Sequence, residues 1–117
     1  MGRLTTHVLD TARGRPAVGL ALSLWRITPS GERILLTRTR TNADGRTAEP
    51  LLSGDAFTAG TYELVFEVGD YFAGYPDTSQ PPFLDFVPVR FTVADPAAHY
   101  HIPLLVSPWS YATYRGS

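Results

Sequence analysis

Alternation with a period of two, broken at short intervals by turn-forming residues, constrains this chain more than any other feature. The clearest run covers residues 61–68, where Tyr62, Leu64, Phe66 and Val68 alternate with Thr61, Glu63, Val65 and Glu67. Successive strand side chains point to opposite faces, so such a run predicts one buried and one wet face. Similar runs occupy residues 4–10 (Leu4, Thr6 and Val8 against Thr5, His7 and Leu9), about 19–27 (Leu20, Leu22 and Leu24 on one side) and 87–93. A run at about 33–41 is rich in Arg and Thr, which suits an edge strand. Turn residues separate them: Arg13-Gly14-Arg15-Pro16, Thr28-Pro29-Ser30-Gly31, Asn42-Ala43-Asp44-Gly45 and Asp95-Pro96. Residues 47–59 are weakly patterned, with room for one short strand near Leu51. Asp70 is placed to cap one helical turn over residues 70–73, and residues 74–82 read as loop.

The last nineteen residues are unusual for a terminus, being apolar, aromatic and patterned almost to the end. Ile102, Leu104 and Val106 fall on one side; His101, Pro103 and Leu105 fall on the other. After Ser107-Pro108 the alternation resumes, with Trp109, Tyr111 and Thr113 opposite Ser110, Ala112 and Tyr114. One side reads as core. The other presents a histidine, a tyrosine and small residues to a cavity or a partner. Seven or eight short strands with at most one short helix predict an all-β chain, an antiparallel β-sandwich.

Composition narrows the chemistry. A chain of 117 residues suits one domain with its own core. There is no cysteine, so thiol nucleophiles, disulfides and cysteine-ligated metals are excluded. All ten basic residues are arginine, which excludes Schiff-base lysine chemistry. A net charge of −1 with no basic run argues against nucleic acid and anionic membrane as partners. No apolar run reaches the ~20 residues of a membrane span, and patterned sequence begins within the first residues, so a cytoplasmic protein without a leader is expected.

Three histidines, His7, His99 and His101, are the main candidates for chemistry. Each alone reads as an ordinary surface histidine. His99 and His101 share one side of a strand, a spacing compatible with a metal, yet no cysteine or nearby carboxylate completes a ligand set. Arg46 follows a tight turn, where function often concentrates. Tyr114 and Arg115 suit an interface. No nucleophile elbow, phosphate loop or dinucleotide fingerprint is present. The residues alone lead to a sandwich with a histidine-bearing face.

Several segments carry a family likeness that runs from end to end. Leu4-Thr-Thr-His-Val-Leu-Asp10 followed by Gly14-x-Pro16-Ala17, Asp44-Gly45-Arg46, Gly69-Asp-Tyr-Phe72, His99-Tyr-His-Ile-Pro-Leu-Leu-Val-Ser-Pro108 and the final Tyr114-Arg-Gly-Ser117 resemble the motifs of the 5-hydroxyisourate hydrolases, the transthyretin-related family of urate breakdown. Trp109 departs from the smaller aromatic commoner there. The resemblance implies a prealbumin-type sandwich of two four-stranded sheets with one short helix, formed by a single domain over residues 1–117. It implies a homotetramer with active sites at the dimer–dimer interface, faced by His7/Leu9, His101/Pro103/Leu105 and Ser110/Ala112/Tyr114. The implied reaction hydrolyses 5-hydroxyisourate to 2-oxo-4-hydroxy-4-carboxy-5-ureidoimidazoline, without cofactor or metal. His7, Arg46 and His101 would be catalytic; His7, Arg46, Tyr114, Arg115 and Ser117 would bind substrate. Transthyretin-like carriage of a small molecule, and an accessory sandwich domain, are the competing expectations.

Overall fold

The computed structural model describes residues 1–117. The alternating runs form the strands β1 (Arg3–Asp10), β3 (Ala21–Ile27), β4 (Arg33–Arg40), β6 (Gly60–Glu67), β7 (Phe86–Val93) and β8 (His99–Val106). Short pieces add β2 (Arg15–Pro16), β5 (Leu52–Ser53) and β9 (Tyr111–Thr113). One sheet has the order β4-β3-β6-β7 and is antiparallel throughout. The other has the order β2-β1-β8-β9, with β5 pairing at the start of β1. The expected sandwich of two sheets is therefore present; one sheet has the expected four strands, and the other has a fifth because β5 pairs with the start of β1.

One pairing differs from simple antiparallel alternation. β1 and β8 run parallel over their whole length, from Arg3 opposite His99 to Asp10 opposite Val106. A parallel pair needs a crossover connection, and here the crossover is the entire second sheet. Two sequence expectations also shift. Arg15–Pro16, read as a turn, closes back far enough to pair with Leu9 and Asp10. The helix spans Val68–Tyr71, so Glu67 rather than Asp70 occupies its N-cap, without a side-chain capping bond.

The core lies between the sheets. Leu4 and Val8 of β1, Leu22 and Leu24 of β3, Tyr62, Leu64 and Phe66 of β6, Val87 and Val89 of β7, and Ile102, Leu104 and Val106 of β8 are all buried in one cluster. These are the inward sets that the alternation picks out. Each fully buried aliphatic or aromatic side chain stabilises the fold by about 1.5–3 kcal/mol before entropy is charged against it. The β4 strand is an edge and is largely exposed, as its arginines and threonines require. The face of Trp109, Tyr111 and Thr113 is not core. Tyr111 and Thr113 share a side with Val106 and Leu104 by register, but all three residues of β9 are exposed. β9 is a three-residue strand at the edge of its sheet.

Asp10 closes the end of β1. Its carboxylate is 1% exposed, accepts from the backbone N–H and a guanidinium nitrogen of Arg13 at 2.9 Å each, and accepts from the Tyr71 hydroxyl at 2.8 Å. The Arg13 guanidinium lies 4.8–5.7 Å from the ring centroids of Tyr71, Phe72 and Tyr75. β1 is thereby tied to the helix and the loop after it. Burial pushes the Asp10 carboxyl up, but the bonds from Arg13 and Tyr71 outweigh it and hold the group below the ordinary value of 3.8. Asp10→Ala removes the shared acceptor and is expected to cost about 2–4 kcal/mol at pH 7, read by urea denaturation. The sign with pH follows from linkage: the unfolded carboxyl takes its proton first, so the contribution is complete above about pH 4 and fades as pH falls through the folded value. Wild type and D10A should therefore converge in stability on acidification; a constant difference down to pH 2 would contradict the assignment.

Candidate active site

The outward face of the β1–β8 pair carries the polar residues. Parallel register places Thr5 opposite His101 and His7 opposite Pro103. Core positions alternate with them on both strands, so Arg3, Thr5, His7 and Leu9 share one surface with His99, His101, Pro103 and Leu105. Thr5 Oγ1 lies 2.8 Å from Nδ1 of His101 and 3.0 Å from Nε2 of His99. The two imidazole centroids are 6.4 Å apart, and no third histidine or carboxylate joins them as a metal-binding group.

Arg46 reaches this surface through the turn before it. The Asn42 side-chain oxygen accepts from the N–H of Asp44 and of Arg46, and the Gly45 N–H donates to the Asn42 carbonyl. Gly45 has φ +76° and sits against β1: its carbonyl accepts from the Val8 N–H at 2.8 Å, and a Cβ there would meet the Val8 carbonyl oxygen at 2.4 Å. The turn is thus clamped to β1, and His7 and Arg46 form an isolated antiparallel bridge. His7 Nε2 is 2.8 Å from the Asp44 carbonyl oxygen. A carbonyl only accepts, so Nε2 carries the hydrogen, and the neutral ring keeps its lone pair on Nδ1. Arg46 is exposed and takes part in none of the chain's three ion pairs.

The C-terminal segment closes the other side. The Gly116 N–H donates to the His101 carbonyl at 2.7 Å, and a Cβ on Gly116 would stand 2.6 Å from Cδ2 of the His101 ring. Only the bare Cα fits against that imidazole. An open cleft of about 340 Å³ results, lined by Arg3, Thr5, Arg46, Glu49, His99, His101 and Ser117 among others. Burial first, then the charges of Arg46, His7 and His99, hold His101 below the ordinary value of 6.5. A ring in that state is neutral at pH 7 and able to accept a proton.

Of the residues singled out from sequence, Arg46, His99, His101 and Ser117 line this cleft. His7 adjoins it through the Arg46 bridge. Tyr114 stands 60% exposed and is not on the wall. Arg115 is not on the wall either: its guanidinium carbon lies 3.9 Å from the Tyr100 ring centroid, and it donates to the His99 carbonyl at 3.4 Å. Sequence reasoning does not reach Thr5 or the role of Gly116: Thr5 reads as an ordinary strand residue, and only the parallel register brings its hydroxyl between two imidazoles. Gly45→Ala forces a side chain into the left-handed region and against β1, and is expected to cost about 1–3 kcal/mol in chemical denaturation. Retention of wild-type stability would show that the turn is not clamped as described.

Comparison with known proteins identifies the family. The profile described as HIUase/Transthyretin family matches residues 4–116. The chain is 58% identical over 118 residues to 5-hydroxyisourate hydrolase of Ralstonia nicotianae, covering 100% of both chains. Among solved structures it is similar to (S)-allantoin synthase, with TM-score 0.91 and 50% identity, covering 99% of this chain but only 44% of that longer one. It is also similar to sea bream transthyretin in complex with thyroxine, with TM-score 0.86 and 31% identity over 97% of this chain and 94% of that one. With the profile matching nearly the whole chain and relatives above half identity, this protein belongs to the HIUase/Transthyretin family.

Proposed function

We propose that this chain hydrolyses 5-hydroxyisourate, opening its cyclic amide by direct attack of water to give 2-oxo-4-hydroxy-4-carboxy-5-ureidoimidazoline. The observation that carries the reading is a cleft that holds a His101 ring kept neutral and the unpaired guanidinium of Arg46, with a His7 ring oriented by the Asp44 carbonyl bridged to Arg46 beside it. The name of relatives above half identity, 5-hydroxyisourate hydrolase, supports hydrolysis of that substrate.

Three tasks must be met: a water must lose a proton, the carbonyl oxygen must carry negative charge, and the leaving nitrogen must gain a proton. Thr5 occupies Nδ1 of His101, so Nε2 is the atom left for the water. Removing the proton there makes the attacking oxygen nucleophilic as its bond to the ring carbonyl forms. Arg46 supplies a planar donor fork to the developing oxyanion, a charge it holds at every working pH. As the C–N bond breaks, the imidazolium returns its proton to the leaving nitrogen. His7, anchored through Nε2, presents Nδ1 to the substrate and shares the proton management. Ser117 contributes to binding from the cleft wall, and Tyr114 and Arg115 bind substrate where subunits meet. In this reading the protein is a cytoplasmic homotetramer, with a second dimer covering the exposed Trp109, Tyr111 and Tyr114. No helix is long and apolar enough to cross a membrane.

Likeness to a transthyretin seen with thyroxine favours one rival, carriage of a small molecule in the same place. The two separate in a single assay. Ultraviolet decay of freshly generated 5-hydroxyisourate is expected to accelerate on adding the protein, and His7→Ala, Arg46→Ala and His101→Ala to slow turnover by about 100-fold or more each. Saturable binding with an unchanged decay rate would instead establish the carrier. Because His101 is held below 6.5, the acid limb of kcat/KM that reports its protonation should have its midpoint below pH 6.5; a midpoint above 6.5 would remove His101 as the base.

A further inference from the structure

We propose that His99 and Thr5 form a hydrogen-bond relay that sets the tautomer of His101, so that its Nε2 faces the cleft without a hydrogen. The inference rests on the hydrolase reading for its catalytic meaning, but its geometry does not. Thr5 Oγ1 contacts two ring nitrogens at once, Nδ1 of His101 at 2.8 Å and Nε2 of His99 at 3.0 Å. A hydroxyl has a single hydrogen, so it donates to one ring and accepts from the other. Two arrangements satisfy both contacts. In the first, His101 Nδ1–H donates to Thr5, Thr5 O–H donates to His99 Nε2, and the His101 lone pair sits on Nε2. In the second, every bond is reversed, and a neutral His101 carries its hydrogen on Nε2, where it blocks proton acceptance.

The surroundings select the first. Facing His101 are Arg46, His7 and His99, with Arg3, Glu49 and the terminal Ser117 on the same cleft wall. Arg46 is the fixed cation whose charge acts on the ring, and an Nε2 lone pair is the form of the ring that interacts well with positive charge. When Nε2 takes a proton from water, an N–H bond forms there as the O–H bond breaks. The Nδ1–H bond to Thr5 is retained and now comes from a cation, which strengthens it. The relay therefore helps the transition state more than the resting ring. It also couples His101 to the charge of His99: a His99 imidazolium has no lone pair to accept with, and reverses both bonds. Thr5 and His99 are positioning residues, since neither needs to touch the reacting atoms.

The test combines nitrogen NMR of the histidine-labelled whole protein, free of substrate, with steady-state kinetics. At neutral pH, His101 should show a pyrrole-type Nδ1 and a pyridine-type Nε2. Thr5→Val keeps the shape and removes the hydroxyl; it should shift His101 toward the Nε2–H form and lower kcat by about 10- to 100-fold with KM little changed. Thr5→Ser should restore both, and His99→Phe should reproduce much of the loss. A wild-type His101 protonated on Nε2, or a T5V variant with unchanged tautomer and kcat within about twofold, would overturn the relay. Because the NMR result needs no turnover, the relay and the hydrolase reading can fail separately.

Discussion

The structure depends on the parallel pairing of its first long strand with its last. β1 and β8 are nearly a chain length apart in sequence, yet they pair through eight consecutive positions without a bulge. Thr6 reinforces the seam by donating to the Ile102 carbonyl at 2.6 Å, and Thr11 extends it by donating twice to the Val106 carbonyl. The register does two jobs. A slip of one residue in β8 would turn Ile102, Leu104 and Val106 out of the core and drive His101 and Leu105 in. Core packing therefore holds the catalytic candidates in position. A residue such as Thr5 can stand between two imidazoles because several leucines and valines on the reverse side allow no other alignment.

Around that seam, two local devices fix what alternation leaves free. Asp10 and its partners Arg13 and Tyr71 tie the end of β1 to the short helix, with every buried polar side-chain atom satisfied. The clamp of Gly45 against Val8 brings Arg46 beside His7, although neither residue type has a preference for the other. Both devices join β1 to a segment distant in sequence. Rigid strands thus carry the imidazoles, while a turn and a terminal segment, each hydrogen-bonded back to the same pair, carry the guanidinium and the closing edge. A site assembled this way is more precise than one built on loops alone, because the scaffold holds the side chains before substrate arrives.

The family to which the chain belongs spans hydrolases and a thyroxine-binding transthyretin on one sandwich. Fold alone therefore does not settle activity. What bears on activity in this chain is the chemistry of one strand face. Burial lowers the proton affinity of His101, a carbonyl selects the tautomer of His7, and a free arginine stands at the same mouth. These features suit proton transfer and charge stabilisation. A cavity lined for apolar carriage needs none of them.

The sequence by itself determined the strands, their inward faces and the class of the fold. Period-two alternation is a local property, and the energy of burying Leu22, Leu24, Leu64 and Phe66 follows directly from it. Turn chemistry at Thr28-Pro29-Ser30-Gly31 and Asn42-Ala43-Asp44-Gly45 was legible for the same reason. The likeness of its motifs to the hydrolases pointed to His7, Arg46 and His101, but periodicity gave no ground for bringing them together. Tertiary structure decided that step, through a parallel pairing that no local pattern encodes. It also decided which nitrogen of each ring is free, because that depends on a carbonyl and a hydroxyl contributed by distant parts of the chain. It left Tyr111 and Thr113 exposed where alternation read a core face, since alternation records which side a residue faces, not whether anything lies opposite.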